Sequence, residues 1–164
     1  MGLFRIAIIT VMAVLQAVFG APEFLSGSGP VWTRALAYPF FHGSWWHLAV
    51  NSLAVWTVYN PRRKFLPVRE LLMPFIISFI VYPVPSRPVI GFSNVLYAVL
   101  GTRTPPLSSP WWKRTEVVVF LAVTFALLLV PRFSAVTHII SFALGMLYAG
   151  ADRQVRKWRS TRRS

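Results

Sequence analysis

The chain has 164 residues, 55% of them apolar and only 13% charged, where a soluble domain carries about a quarter charged residues to cover its surface. Four acids (Glu23, Glu70, Glu116 and Asp152) oppose seventeen Lys and Arg, giving a net charge of +13, and there is no cysteine. Disulfides and thiolate chemistry are therefore excluded, and redox usage says nothing about compartment. A backbone surrounded by lipid must satisfy its own hydrogen bonds, so the expected class is an all-α membrane protein folded as one bundle.

Six apolar segments follow in chain order, over residues 3–19, 45–59, 68–82, 93–101, 117–130 and 134–150, with Pro and Gly marking the gaps. The first has Arg5 ahead of its apolar stretch, as a signal peptide would. The run is long, and no small-x-small site precedes Pro22, so a retained helix is expected. The second opens with Trp45 and Trp46, which read as interfacial residues. It carries His47 and Asn51, four apart and so on one face. His42 stands five residues ahead of His47. The third follows a basic cluster of Arg62, Arg63, Lys64 and Arg69.

The fourth segment opens with Ser93 and has Tyr97 one turn on. It is too short to span a bilayer alone, so it is expected to begin part-way down and be enclosed by its neighbours. In the fifth, only Thr124 interrupts the apolar run from Val117 to Val130. The sixth carries His138 about one turn in, followed by Ser141, Gly145 and Ala149. That small-residue stripe permits close backbone approach, and Tyr97 and Gly101 share one face of the fourth helix to receive it. Residues 1–152 thus read as one transmembrane domain and 153–164 as a basic tail.

Charge sets the expected orientation. With both ends on one side, fourteen cations fall together, and only Arg34, Arg87 and Arg132 lie opposite. Such a bias places both termini in the cytoplasm. The cations of the tail read as a topology signal and an anchor to anionic membrane lipid, and no nucleic-acid partner is expected.

Polar groups inside a membrane are costly and mark functional positions. The second, fourth and sixth helices run the same way, each with its polar residues in the first turns. His47, Asn51, Ser93 and His138 therefore share one depth, within about a third of the bilayer from the outer face. Nucleophilic acyl transfer fits that set. A serine hydroxyl needs a base, neutral histidine is the usual one, and no acid lies at this depth to complete a triad. His47 and Asn51 offer side-chain donors for an oxyanion, beside the Ser93 amide at a helix start. Tyr97 is placed to hold the His138 ring. Read singly, the same residues are unremarkable: Ser93 as a helix cap, His138 as a packing residue, His47 with Asn51 as a clamp between helices. Three histidines without a thiolate or nearby carboxylate give no expectation of a metal.

At these residues the chain resembles the rhomboid family, in its six-helix bacterial type. The family's second-helix pattern, His-x-x-x-Asn with another His five residues earlier, is matched by His42, His47 and Asn51. Its Gly-x-Ser-Gly motif, with Tyr and Gly at successive four-residue steps, is matched in part by Gly91, Ser93, Tyr97 and Gly101. Its last helix is matched by His138, Ser141, Gly145 and Asp152, and its Trp-Arg pair is approximated by Trp32-Thr33-Arg34. The likeness implies a six-helix rhomboid-like bundle whose first outer loop lies partly in the membrane. It implies an intramembrane serine endopeptidase with no cofactor and no metal, cutting single-pass transmembrane substrates near the outer face. Ser93 would then be nucleophile and His138 base, with His47, Asn51 and the Ser93 amide on the oxyanion, and His42, Gly91 and Tyr97 in support.

Two departures stand out: Asn94 replaces the glycine after the nucleophile, and Ser141 replaces the first glycine of the last-helix stripe. A rhomboid-like pseudoprotease that binds transmembrane segments without cleavage is the alternative, supported by Asn94 alone. A small transporter would need charged residues deep in several helices or a broken repeat pair, and neither is seen. Short loops point to a prokaryotic inner membrane. Oligomeric state is not readable from the chain.

Overall fold

The computed structural model describes residues 3–20, 31–59, 68–83, 91–105, 110, 118, 122, 124 and 135–162. Among these residues the regular structure is helical throughout. The α-helices are α1 (Leu3–Phe19), α2 (Val31–Ala37), α3 (Trp45–Val58), α4 (Val68–Val81), α5 (Ser93–Arg103) and α6 (Ala135–Thr161), with a 3-10 turn at Tyr38–Phe40 after α2. The apolar segment expected over 117–130 lies largely outside the described residues; Val118, Ala122 and Thr124 are helical. The basic residues Arg62, Arg63 and Lys64 also lie outside them.

What faces outward is apolar, and much of what faces inward is polar. Exposed side chains recur at spacings of three to five along each helix: Ile6, Val11, Val14 and Val18 on α1; Trp46, Val50, Leu53 and Trp56 on α3; Leu72, Ile76 and Ile80 on α4. Arg5, Gln16, Asn51, Ser78, Asn94, Thr137, His138 and Ser141 are buried instead. Water would penalise that arrangement, since contiguous apolar patches on soluble monomers stay small. Lipid favours it. α6 is long and apolar enough to cross a membrane, and α1 with Leu72–Val81 of α4 are shorter apolar helices.

α5 is the axle. Every residue from Asn94 to Gly101 is buried. Its 11 residues reach only about 16 Å at 1.5 Å per residue, roughly half of a hydrocarbon core. It packs chiefly against α6 and then α4. Val95, Leu96 and Val99 meet Ile8 and Met12 of α1 and Leu48 and Val55 of α3 in one apolar cluster. On another side Ala98 packs with Ile77 and Val81 of α4.

The α5–α6 contact depends on missing side chains. A Cβ added to Gly101 would lie 2.1 Å from the Phe142 carbonyl oxygen, and one added to Gly145 would lie 2.3 Å from that of Ala98. The backbones touch, because apolar surface gives helices no reason to associate in lipid and close van der Waals packing must supply it.

Ahead of α3, residues 31–40 form α2 and the 3-10 turn, and Ala35, Tyr38, Phe41 and Tyr82 form a cluster there. One element differs from the sequence reading. The last helix, expected to end at 150, continues to Thr161. Gly150 is an ordinary end signal, but the residues beyond it are good helix formers. Asp152 and Arg156 add an ion pair of 2.6 Å one turn apart.

Candidate functional site

The first turns of α3, α5 and α6 converge at one end of the bundle. Ser44 caps α3, its hydroxyl accepting from the His47 amide at 3.1 Å, so the first turn that carries His47 is fixed locally. Asn51 follows one turn on and is buried. Its Nδ2 has no hydrogen-bond partner among the described residues. His42, ahead of the helix, is fully buried, with its ring 5.1 Å from that of His47 at 74°.

Gly91 sits against both. Its φ of +111° is open to glycine and strained for other residues. A Cβ there would lie 2.7 Å from Cε1 and Nε2 of His47 and 3.0 Å from Nδ2 of Asn51. The ring and the amide thus close on bare backbone two residues before Ser93. That glycine is held by its N–H, which donates to the Tyr38 carbonyl at 3.0 Å.

Ser93 is not the cap of α5. Phe92 takes that position without any side-chain hydrogen bond, and Ser93 is the first helical residue. Its hydroxyl is left for another use. It meets Nε2 of His138 at 2.7 Å, across 45 residues of sequence. First-turn amides of a helix have no partner within it, so the Ser93 N–H points out of the helix start, at its positive end. His138 lies in the second turn of α6 and is buried. The Tyr97 ring, one turn below Ser93, lies beside the imidazole with centroids 4.6 Å apart and planes 38° from parallel. Serine, imidazole and phenol therefore stack along the α5–α6 seam above the glycine contacts.

All seven residues singled out from sequence lie in this region: Ser93 with His138 and Tyr97, and Gly91 with His47 and Asn51, with His42 behind. Three others were not singled out as site residues. Tyr38, Ser78 and Asn94 are each fully buried and join in a polar cluster beside the nucleophile segment. The Asn94 amide donates to the Tyr38 hydroxyl at 3.3 Å, and that hydroxyl donates to the Ser78 carbonyl at 3.0 Å and meets the Ser78 hydroxyl. Sequence flagged Asn94 only as a departure beside the oxyanion position; no local pattern links it to Tyr38.

Chemically, the arrangement offers a hydroxyl hydrogen-bonded to a buried imidazole, with a buried amide and a second imidazole aimed at the chain just before it. Among the described residues no cluster of three or more His, Cys, Asp or Glu could hold a metal.

A comparison with curated proteins gives no match. The model of the Rhomboid domain family matches residues 29–154, well over half of the chain and the whole of the site just described. The chain belongs to the rhomboid family and, with it, to the integral membrane proteins.

Proposed function

We propose that this protein is an intramembrane serine endopeptidase that cleaves transmembrane-segment substrates with Ser93 and His138. The observation that carries the reading is the 2.7 Å contact between the Ser93 hydroxyl and His138 Nε2, within hydrogen-bond reach for proton transfer. His138 takes the hydroxyl proton as Ser93 Oγ attacks the scissile carbonyl, and an acyl-enzyme forms. The same imidazole returns that proton to the leaving amine, then removes one from the water that attacks the ester and passes it to Ser93 Oγ as the ester bond breaks. Nδ2 of Asn51, the His47 ring and the Ser93 amide are the donors for the oxyanion. Tyr97 keeps the imidazole in plane with the hydroxyl. No cofactor or metal enters the scheme.

Substrates are single-pass transmembrane proteins cut near the outer face. The basic bias of the chain favours both termini in the cytoplasm, and its short loops favour a prokaryotic inner membrane. Asn94 favours a second reading, a rhomboid-like binding protein without turnover.

Purified protein mixed with a model transmembrane substrate in detergent separates the two. Cleavage and fluorophosphonate labelling are expected from the wild type, and neither above background from Ser93→Ala; His138→Ala should label at a small fraction of the wild-type rate. A wild type that binds the substrate but leaves it whole, or that labels no better than Ser93→Ala, removes the protease reading.

A further inference from the structure

The Tyr38 hydroxyl is saturated. A phenol has one proton and two acceptor positions. Here the proton goes to the Ser78 carbonyl, the Asn94 amide fills an acceptor position, and the Ser78 hydroxyl is a third partner. The three residues come from the 3-10 turn, α4 and the first turn of α5, and none has measurable exposure. The bonds to this hydroxyl tie three segments together, while Asn94 Oδ1 makes no hydrogen bond among the described residues. The Tyr38 ring also packs on Tyr82 at 4.7 Å, so the phenol is fixed by contact as well as by bonding.

The backbone of Tyr38 acts on the same segment. Its carbonyl takes the Gly91 N–H at 3.0 Å. One residue therefore grips the chain on both flanks of Ser93, by main chain two residues before and by side chain one residue after. Between those grips lie the Ser93 hydroxyl and amide, and Gly91 presses on His47 and Asn51.

We infer that Tyr38, through Ser78 and Asn94, is a positioning residue that sets the pose of the nucleophile turn. This rests on the protease reading above and explains why an asparagine can follow the nucleophile. Its amide is used as a strut, where glycine would leave the turn unbraced. A catalytic constellation works only within about half an ångström of its productive geometry. Loosening the strut slows chemistry without changing how the substrate helix binds.

The test is steady-state cleavage of the model substrate, with melting temperature and fluorophosphonate labelling rate, for Tyr38→Phe, Asn94→Ala and the double variant. Tyr38→Phe is expected to lower kcat about tenfold or more, the effect of losing buried hydrogen bonds, with KM unchanged and labelling slowed in proportion, and to melt lower because the buried Asn94 amide and Ser78 hydroxyl lose their partner. Asn94→Ala, which removes only the Asn94–Tyr38 bond, should slow kcat by less, and the double variant should be no slower than Tyr38→Phe, where that bond is already lost. If Tyr38→Phe fails to fold, Ser78→Ala combined with Asn94→Ala is read by the same criterion. Wild-type kcat in the single variants, losses that multiply in the double one, or a wild-type kcat at temperatures where the variants are fully folded overturns the inference while leaving the protease intact. A wild type that neither cleaves nor labels removes both.

Discussion

The two flanks of α5 are held by opposite means. Along α6 the contact is made by omission: Gly101 and Gly145 bring backbone to within van der Waals range of backbone. At its first turn the contact is made by addition, with Tyr38, Ser78 and Asn94 filling the space with a hydrogen-bonded cluster. The seam sets a distance, the cluster sets an angle. Ser93, Tyr97 and Gly101 follow one another at four-residue steps, as do His138, Phe142 and Met146 on the facing helix. The 2.7 Å between hydroxyl and imidazole is thus fixed by glycines two turns away.

Widening the seam is the severest way to break that division of labour. In Gly101→Val the new Cβ would meet the Phe142 carbonyl, and backbone cannot step aside as a flexible side chain can. Overpacking of this kind costs about 1–3 kcal/mol. It also moves Ser93 off His138, so cleavage and labelling should fall to background together with a lower melting temperature. A folded Gly101→Val variant with wild-type turnover would show that the seam does not set the dyad.

These two regions also differ in how much of them can be read from the chain. Small residues at Ser141, Gly145 and Ala149 repeat on one helix face, and a pattern of that kind is visible without coordinates. The same holds for His47 and Asn51, four apart. Periodicity within a helix is local, so the described helices and the polar residues that meet near their starts were accessible. Tyr38 meets Ser78 across 40 residues and Asn94 across 56. No spacing rule connects a loop aromatic to a serine in one helix and an asparagine in another. The far end of α6 was missed for a different reason: the apolar pattern stops where lipid stops, but helix propensity does not.

Gly91 sharpens the comparison from the other side, because the space beside it is closed by side chains. Gly91→Ala would drive a methyl into His47 and Asn51 at 3.0 Å or less and strain a φ of +111°. Loss of one oxyanion donor costs about 10²–10³ in kcat. With His47 and Asn51 in the roles proposed, Gly91→Ala disturbs two donors and should reach the upper end of that range, while Asn51→Ala should lose about a hundredfold. Asn51→Ala should melt close to the wild type, while Gly91→Ala should melt lower, since a strained backbone position costs about 1–3 kcal/mol. Labelling rates measured beside thermal melts distinguish the patterns, and a Gly91→Ala enzyme of normal rate would mean that His47 and Asn51 do not serve the reaction.

The smallest effect is expected where neither device operates. Beyond Gly150, α6 is exposed, and its structure there rests on helix propensity and the Asp152–Arg156 pair, whose side chains are 30% and 53% exposed. Exposed pairs one turn apart contribute about 0.3–0.5 kcal/mol and are screened by salt. Arg156→Ala should therefore shift the melting temperature by no more than a degree or two at low ionic strength, and less in 0.5 M salt. Cleavage should be unchanged, since His138 is held by the seam and not by the helix end. If Arg156→Ala slowed turnover severalfold at an unchanged melting temperature, strain would be passing along all of α6, and the glycine seam could no longer be regarded as the point where the position of His138 is decided.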